Sequence, residues 1–152
     1  VSAGFQPVLM RRNCMTFWRC YYHLVWATKN RAPLISPQIE TVVIHAIKEK
    51  SVKLESPIIA INTVSDHIHV AVSIPQKLAV SEWARNVKGY STHEVNAMFP
   101  DLPSPFYWQN GFAVLSFGLK TLGYVSDYVN RQKEHHANQT TEDYLEIIDE
   151  PR

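Results

Sequence analysis

Alternating apolar positions along the chain predict three strands. Residues 16–28 are rich in aromatic and β-branched side chains, and one alternating set is apolar: Trp18, Cys20, Tyr22, Leu24 and Trp26. Residues 67–74 alternate in the same way, and residues 58–64 form another apolar run before them. Because successive side chains of a strand point to opposite faces of a sheet, each alternating set predicts one buried face. The short separation of the last two runs predicts an antiparallel hairpin.

Apolar positions three or four residues apart predict three helices. The first begins at Ser36 and Pro37, a pair that favours a helix start, and apolar residues follow at helical spacing up to Ile47. Residues 78–98 and 119–138 show the same spacing. On the third helix Tyr124, Tyr128 and Gln132 follow one another at intervals of four, so they share one face.

Between the second and third helices, aromatic runs at residues 106–109 and 112–117 flank Asn110 and Gly111, a dipeptide typical of tight turns. The resulting order of elements is strand, helix, strand, strand, helix, strand, helix. This order predicts the α+β class: a ferredoxin-like sandwich with helices on one face of an antiparallel sheet and a C-terminal helix that bears tyrosine. The other face of such a sheet is left for a ligand.

The composition is that of one globular domain. The chain has 152 residues, of which 45% are hydrophobic and 19% charged, and no apolar run approaches the length of a membrane span. We expect residues 1–14 to be a flexible extension, residues 15–138 to form a single domain and residues 139–152 to form an acidic tail. The two cysteines, Cys14 and Cys20, lack a metal-ligand spacing, which fits a cytoplasmic protein.

Charge is distributed unevenly along the chain. Residues 141–152 contain five acidic residues and one basic residue, and the remainder contains 14 basic and 9 acidic residues. This basic excess is compatible with a partner that carries phosphate groups. The sequence has no glycine-rich phosphate loop, Cys-x-x-Cys pair or Gly-x-Ser-x-Gly motif, so nucleotide hydrolysis and serine hydrolysis are unsupported.

His67 and His69 are the strongest candidates for chemistry. On one face of a strand their Cα atoms lie roughly 6–7 Å apart, and two imidazoles at that spacing can converge on one cation. The same pattern is also typical of two half-exposed strand histidines without a ligand. His23 becomes a neighbour of the pair if its strand lies beside theirs, where we expect it to make a structural polar contact.

Three stretches carry a resemblance to a known family. They are Tyr-Tyr-His-Leu-Val-Trp-Ala-Thr-Lys-Asn-Arg at 21–31, Asp-His-Ile-His-Val at 66–70 and Tyr-Val-Asn-Arg-Gln-Lys-Glu-His-His at 128–136. Together they resemble the single-tyrosine HUH transposases, which include small insertion-sequence transposases and REP-associated tyrosine transposases. A His-hydrophobe-His triplet alone is a weak signal, but the downstream helix with tyrosine, glutamine and two histidines makes the combination specific. The resemblance extends over residues 17–136.

The resemblance implies a role for each of four residues. His67 and His69 would bind a divalent metal ion, Gln132 would be its third ligand, and Tyr128 would be the nucleophile. The implied reaction cleaves single-stranded DNA, leaves a 5′-phosphotyrosine bond and a free 3′-hydroxyl, and is reversed during strand transfer. The implied partners are single-stranded DNA with hairpin ends and a second copy of the chain in a homodimer. Mg²⁺ prefers oxygen ligands, and the two histidines make Mn²⁺ an equal candidate.

Two alternatives accompany this interpretation. Tyr124 lies one turn before Tyr128, and we prefer Tyr128 because its spacing to Gln132 and the His-His end fits the single-tyrosine pattern. A non-catalytic protein that binds single-stranded nucleic acid on the same kind of sheet is the alternative function, although it has no use for the histidine and tyrosine set. We expect five basic side chains to contact DNA: Lys29, Arg31, Arg85, Lys88 and Arg131.

Overall fold

The predicted strands form one four-stranded antiparallel sheet in the computed structural model, which describes residues 16–148. The expected extension at residues 1–14 lies outside the described residues. The sheet order is β2-β3-β1-β4, and β3 pairs antiparallel with both β1 and β2. Its strands are β1 (Tyr21–Ala27), β2 (Ile58–Thr63), β3 (His67–Ser73) and β4 (Ala113–Phe117).

Five helices accompany the sheet within the described residues: α1 (Pro37–Lys53), α2 (Val80–Met98), α3 (Leu122–Asn130), α4 (Gln132–Asn138) and α5 (Asp143–Glu146). The predicted start of the first helix is confirmed, because the Ser36 hydroxyl accepts a hydrogen bond from the backbone N–H of Ile39 at 3.3 Å. None of the helices in this described part has both the length and the apolar composition to cross a membrane.

The main core lies between one face of the sheet and helices α1 and α2. The alternating residues Leu24 and Trp26 of β1 and Ile68, Val70 and Val72 of β3 are fully buried there, as their spacing predicts. The helices contribute Val43, Ile47, Trp83 and Val87 to the same cluster. The predicted α+β arrangement, with helices packed on one face of an antiparallel sheet, is confirmed.

The tyrosine-bearing helix α3 packs on the opposite face of the sheet. Its residues Val125 and Val129 form a second, smaller cluster with Ala60 of β2 and Ala71 of β3. Ala71 is fully buried and lies directly opposite His23 in the pairing of β1 with β3. A methyl group at this position lets the helix approach the strand closely, so the small residue sets the distance between α3 and the histidines.

One predicted element differs in the structure, and of the two aromatic runs that flank Asn110 and Gly111 only the second contains a strand. The helix predicted over residues 119–138 is interrupted at Arg131, whose backbone angles (φ −102°, ψ 20°) separate α3 from α4. The aromatic run at residues 106–109 is not a strand: Trp108 makes one isolated bridge to Thr28. The side chain of Asn96 bonds both the N–H and the C=O of Phe106, and this side-chain contact replaces a strand partner.

We expect Ala71→Leu to destabilise the protein by about 1–3 kcal/mol, because the larger side chain must be accommodated between β3 and α3. Urea unfolding followed by tryptophan fluorescence measures this loss in the free energy of unfolding. Ala97→Leu, on an exposed position of α2, is the control and should change it by less than about 0.5 kcal/mol. Equal stability of Ala71→Leu and the unmodified protein would show that α3 does not pack tightly on β3.

Candidate active site

His67 and His69 project from the central strand β3 toward α3, and both side chains are buried. The Nδ1 atom of His67 lies 2.7 Å from a carboxylate oxygen of Asp66. The Nδ1 atom of His69 lies 3.0 Å from Nε2 of His23, so the predicted contact between the first strand and the pair is present. Because the Asp66 carboxylate accepts the Nδ1 proton of His67, the Nε2 atom of that ring carries a free lone pair when the ring is neutral.

Tyr128 and Gln132 lie against the same face of the sheet. The Tyr128 ring is 6.2 Å from the His69 ring and stacks on His135 at 4.6 Å between ring centres. Gln132 is fully buried at the start of α4, and its side-chain N–H donates to the backbone oxygen of Tyr128 at 3.3 Å. The structure therefore brings all four residues that the sequence singles out to one side of the sheet.

Three of these residues, His67, His69 and Gln132, have a buried side-chain atom that could bind a metal ion and that lacks a hydrogen-bond partner. Among the described residues, six buried side-chain nitrogen or oxygen atoms have none, and three of these are Nε2 of His67, Nε2 of His69 and Oε1 of Gln132. Buried polar atoms are nearly always paired in folded proteins, so an unpaired group of this kind points to a missing partner. Two imidazole nitrogens and an amide oxygen are suitable ligands for a divalent metal ion, and the residues present fit such an ion.

Two further residues, Glu146 and His136, belong to the site, and neither is predicted as a site residue from the sequence. One carboxylate oxygen (Oε2) of Glu146, in α5, lies 3.4 Å from Nε2 of His67, 3.3 Å from Nε2 of His69 and 3.4 Å from Nε2 of His136. His136 continues the four-residue spacing of Tyr128 and Gln132, and that spacing was the signal that could have found it. Glu146 is one of several acidic residues in its segment, and no pattern in the sequence distinguishes it.

The same carboxylate holds the Tyr128 hydroxyl. The hydroxyl donates to the other oxygen (Oε1) of Glu146 at 2.5 Å and accepts a hydrogen bond from the backbone N–H of Glu142 at 2.9 Å. Helix α5 is anchored for this contact by Leu145 and Ile148, which are both buried, and Ile148 packs on β1. A phenol fixed in this way is oriented but still carries its proton.

Burial disfavours the charged forms of the Tyr128 phenol and of the His69 and His23 rings. Burial, followed by donation to Glu146, raises the pKa of the Tyr128 phenol above its usual value. Burial lowers the pKa of His69, and burial together with the charge of His69 lowers the pKa of His23 to about 3. Burial alone would raise the pKa of Glu146, but contacts with His67 and His69 hold it well below its usual range. The carboxylate is therefore ionised.

Three of the five predicted DNA-binding residues lie near the segment 107–111. The ammonium of Lys29 lies 5.8 Å from the centre of the Tyr107 ring. Lys88 donates to the backbone oxygen of Gly111 at 2.6 Å, and partial burial lowers its pKa to about 8. Arg85 and Lys88 line one groove together with Tyr107, and Arg85 also pairs with Glu82. These cations surround a half-exposed aromatic ring.

The other two basic residues lie apart from that groove. Arg31 contacts the Asp66 carboxylate at 3.4 Å, on the residue that precedes His67. Arg131, at the break between α3 and α4, pairs with Asp127 and Glu134 on its own helices. The structure therefore divides the predicted cations between a groove, the border of the histidine site and the break in the tyrosine helix.

Comparison with known sequences identifies one matching family. The sequence profile of the family described as "Transposase IS200 like" matches residues 16–132. The transposase for insertion sequence element IS200 from Salmonella typhimurium is 28% identical over 123 residues, which are 78% of this chain and 80% of that protein. The ISDra2 transposase TnpA of Deinococcus radiodurans is 18% identical over 132 residues, which are 84% of this chain and 94% of that protein.

Solved structures share the fold. A proposed transposase from Deinococcus radiodurans R1 has a TM-score of 0.65 and 20% identity, over 81% of this chain and 98% of the other. A REP-associated tyrosine transposase bound to a REP hairpin has a TM-score of 0.61 and 19% identity, over 80% of this chain and 74% of the other. At these identities the likeness establishes a common fold.

We expect the cation-free protein to lose stability as the pH falls below neutral. The pKa of His23 is about 3 in the folded protein and 6.5 ordinarily, so between these values the unfolded chain binds more protons at this residue. The free energy of unfolding then falls with decreasing pH, by at most about 1.4 kcal/mol per pH unit for this one group.

Urea unfolding at several pH values between neutral and about pH 5 measures this dependence. His23→Gln should flatten the dependence, whereas His93→Gln, at an exposed position on α2, should leave it as it is. An equally steep dependence in His23→Gln would show that the buried neutral imidazole of His23 is not responsible.

Proposed function

The chain belongs to the IS200-like transposase family, as its motifs indicated, and we propose that it cleaves and rejoins single-stranded DNA through a 5′-phosphotyrosine intermediate. The proposal rests chiefly on the three buried donor atoms of His67, His69 and Gln132, which lack partners and belong to residues next to Tyr128. A protein that only binds DNA has no need for such an arrangement. Tyr128 is the proposed nucleophile.

We assign the divalent cation, Mg²⁺ or Mn²⁺, to His67, His69 and Gln132. The hydrogen bond that His67 donates to Asp66 and the contact between His23 and His69 orient the two rings, and such outer contacts commonly support metal ligands. When bound, the cation would polarise the non-bridging oxygens of a phosphodiester and favour the ionised form of a nearby phenol. The ordinary phenol pKa near 10 makes such assistance necessary at neutral pH.

The proposed step exchanges one phosphodiester bond for another. The Tyr128 oxygen, whose proton passes to solvent, attacks phosphorus and forms a new P–O bond. The bond from phosphorus to the 3′-oxygen breaks, and that oxygen leaves with the electron pair and takes up a proton to become a free 3′-hydroxyl. The energy of the broken bond is retained in the phosphotyrosine, so a 3′-hydroxyl can reverse the step without a nucleotide cofactor.

The proposed substrate is single-stranded DNA with hairpin ends. A structural neighbour of the chain was solved with a REP hairpin bound, and the basic groove at Arg85 and Lys88 borders a half-exposed aromatic ring, Tyr107. Cations beside an aromatic ring suit the phosphates and bases of unpaired nucleotides. We place this activity in the cytoplasm.

We also propose that the protein acts as a homodimer. In the described part of the chain, β4 at the sheet edge pairs only with β1, and its residues Val114 and Leu115 are exposed. An apolar edge strand of this kind is a ready surface for pairing with another copy. Sedimentation of the purified protein measures the oligomeric state.

Replacing Tyr128 with phenylalanine tests the proposed nucleophile. Labelled single-stranded hairpin DNA, incubated with the protein and Mn²⁺ or Mg²⁺, should form a covalent adduct that survives denaturing electrophoresis. Tyr128→Phe should abolish the adduct, because the attacking oxygen is gone, while DNA binding is retained.

Tyr124→Phe is the matched control, because this tyrosine lies one turn earlier on the same helix and its side chain is exposed. This variant should form the adduct as the unmodified protein does. An adduct in Tyr128→Phe would overturn the assignment of the nucleophile. DNA binding without any adduct in the unmodified protein would favour the non-catalytic alternative.

Glutamine at Arg85, which lines the proposed DNA groove, or at Lys29, which lies against the Tyr107 ring beside it, tests this surface. Each change should weaken binding to single-stranded DNA and reduce the slope of log affinity against log salt by about 0.7, because one phosphate contact is lost. Fluorescence anisotropy over a range of salt concentrations measures both quantities. Lys48→Gln, on the exposed face of α1, should change neither. An unchanged slope in both the Arg85 and the Lys29 variant would place the DNA elsewhere.

A further inference from the structure

The carboxylate of Glu146 approaches three imidazoles at nearly equal distances. Its Oε2 atom lies 3.3–3.4 Å from the Nε2 atoms of His67, His69 and His136. All four of these atoms lie within 4.8 Å of one another. His67 and His69 are both buried, and their Nε2 atoms make no hydrogen bond to this carboxylate or to any other described group. The four atoms therefore form one cluster at ion-pair distances, in which the Nε2 atoms of His67 and His69 have no hydrogen bond.

This spacing is the one expected between ligands of a single ion. Donor atoms that are each about 2.1 Å from one metal ion lie about 3.0–3.4 Å from the neighbouring donor atoms. A direct hydrogen bond between an imidazole N–H and a carboxylate oxygen would be shorter, at about 2.7–2.9 Å. The distances to Glu146 match the separation of neighbouring ligands better than they match hydrogen bonds.

The hydrogen bond of His67 gives a second reason to place a cation here. The Nδ1 atom of His67 is 2.7 Å from the Asp66 carboxylate, which can only accept a proton. This bond leaves Nε2 as the ring nitrogen that lies toward Glu146, 3.4 Å from its Oε2 atom. A histidine whose other ring nitrogen is held by a carboxylate in this way is the usual arrangement of a metal-binding histidine.

We propose that His136 and Glu146 bind the same divalent cation as His67 and His69, so that α5 completes the metal site. The inference rests on the proposed function, because it extends the ligand set of the cation assigned there. With the amide oxygen of Gln132, the set has three imidazoles and two oxygen ligands, which suits a transition-metal ion better than Mg²⁺, because Mg²⁺ prefers oxygen ligands. The ligand set therefore selects Mn²⁺ over Mg²⁺.

Glu146 also connects the proposed metal site to the proposed nucleophile. Its Oε1 atom accepts the hydrogen bond from Tyr128 while Oε2 faces the imidazoles. The buried Leu145 and Ile148 on either side hold the carboxylate in this position. The segment that follows α4 is thus part of the site and does more than cover it.

Cation binding to the full chain, freed of metal by a chelator, tests the proposal. Calorimetric titration with Mn²⁺ gives the affinity, and Mg²⁺ competition gives the selectivity. Glu146→Gln and His136→Gln should each weaken Mn²⁺ binding by about tenfold or more, the loss expected when the immediate surroundings of a metal are changed. Asp143→Asn, which removes an exposed carboxylate from the same helix, is the matched control and should bind as the unmodified protein does.

His67→Ala separates this inference from the proposed function. The further inference is wrong, and the proposed cation site stands, under one set of results. In that case the unmodified protein binds Mn²⁺ and His67→Ala does not, whereas Glu146→Gln and His136→Gln bind Mn²⁺ as tightly as the unmodified protein. If the unmodified protein binds no divalent cation, the proposed function loses its metal. If Mg²⁺ bound as tightly as Mn²⁺, that result would also contradict the imidazole-rich ligand set.

The thermal unfolding of each variant separates ligation from a purely structural role. A ligand variant should show a smaller rise in melting temperature on addition of Mn²⁺, because the cation stabilises only the protein that binds it. A structural strap would instead lower the melting temperature without cation and leave the Mn²⁺-induced rise unchanged, which would overturn the proposal. Should Glu146→Gln fail to fold, Glu146→Asp keeps the charge and shortens the reach, and it should fold and bind Mn²⁺ more weakly.

Discussion

The contacts at the Nδ1 atoms of His67 and His69 are the constraint on which the site depends. Asp66 holds one ring and His23 holds the other, so the free Nε2 atoms are directed toward α3 and α5. The position of His23 follows from the pairing of β1 with the central strand β3. Alternation along β3 places the two imidazoles on one face, and the sheet register adds the third ring, His23, that orients His69.

The two faces of the sheet differ in role: one carries the main apolar core, and the other carries the candidate active site. One face carries the large apolar cluster around Trp26, and it packs against two long helices. The other face carries buried histidines and only a small apolar cluster around Val129, with short helices over it. Burying polar groups without full hydrogen bonding costs free energy, and the apolar face offsets that cost. This division explains how a modest domain can hold several unpaired polar atoms.

The sequence predicts the structure best where apolar or polar residues repeat at the period of a strand or a helix. Alternation in β3 located both the buried residues and the His67–His69 pair, and the spacing of four located Gln132 beside Tyr128. It was least informative where tertiary contacts override local preference: the side chain of Asn96 holds residues near Phe106 out of a strand, and the break at Arg131 divides a continuous helical pattern. The role of Glu146 is not predictable from the sequence, because its position depends on the packing of Leu145 and Ile148, which no local spacing encodes.

Lys133 connects α4 to α1 and β2 by hydrogen bonds, and these contacts bear on the order of folding. Its ammonium donates to Glu40 of α1 and to Asn62 and Thr63 of β2, across 93, 71 and 70 residues of chain. Contacts between distant segments form late, because the entropy of closing a long loop is lost before they contribute. We therefore expect α1 and the β2–β3 hairpin to form first and α4 to dock on them afterwards. The chemical groups would then meet in one of the last steps of folding, when the sheet is already complete.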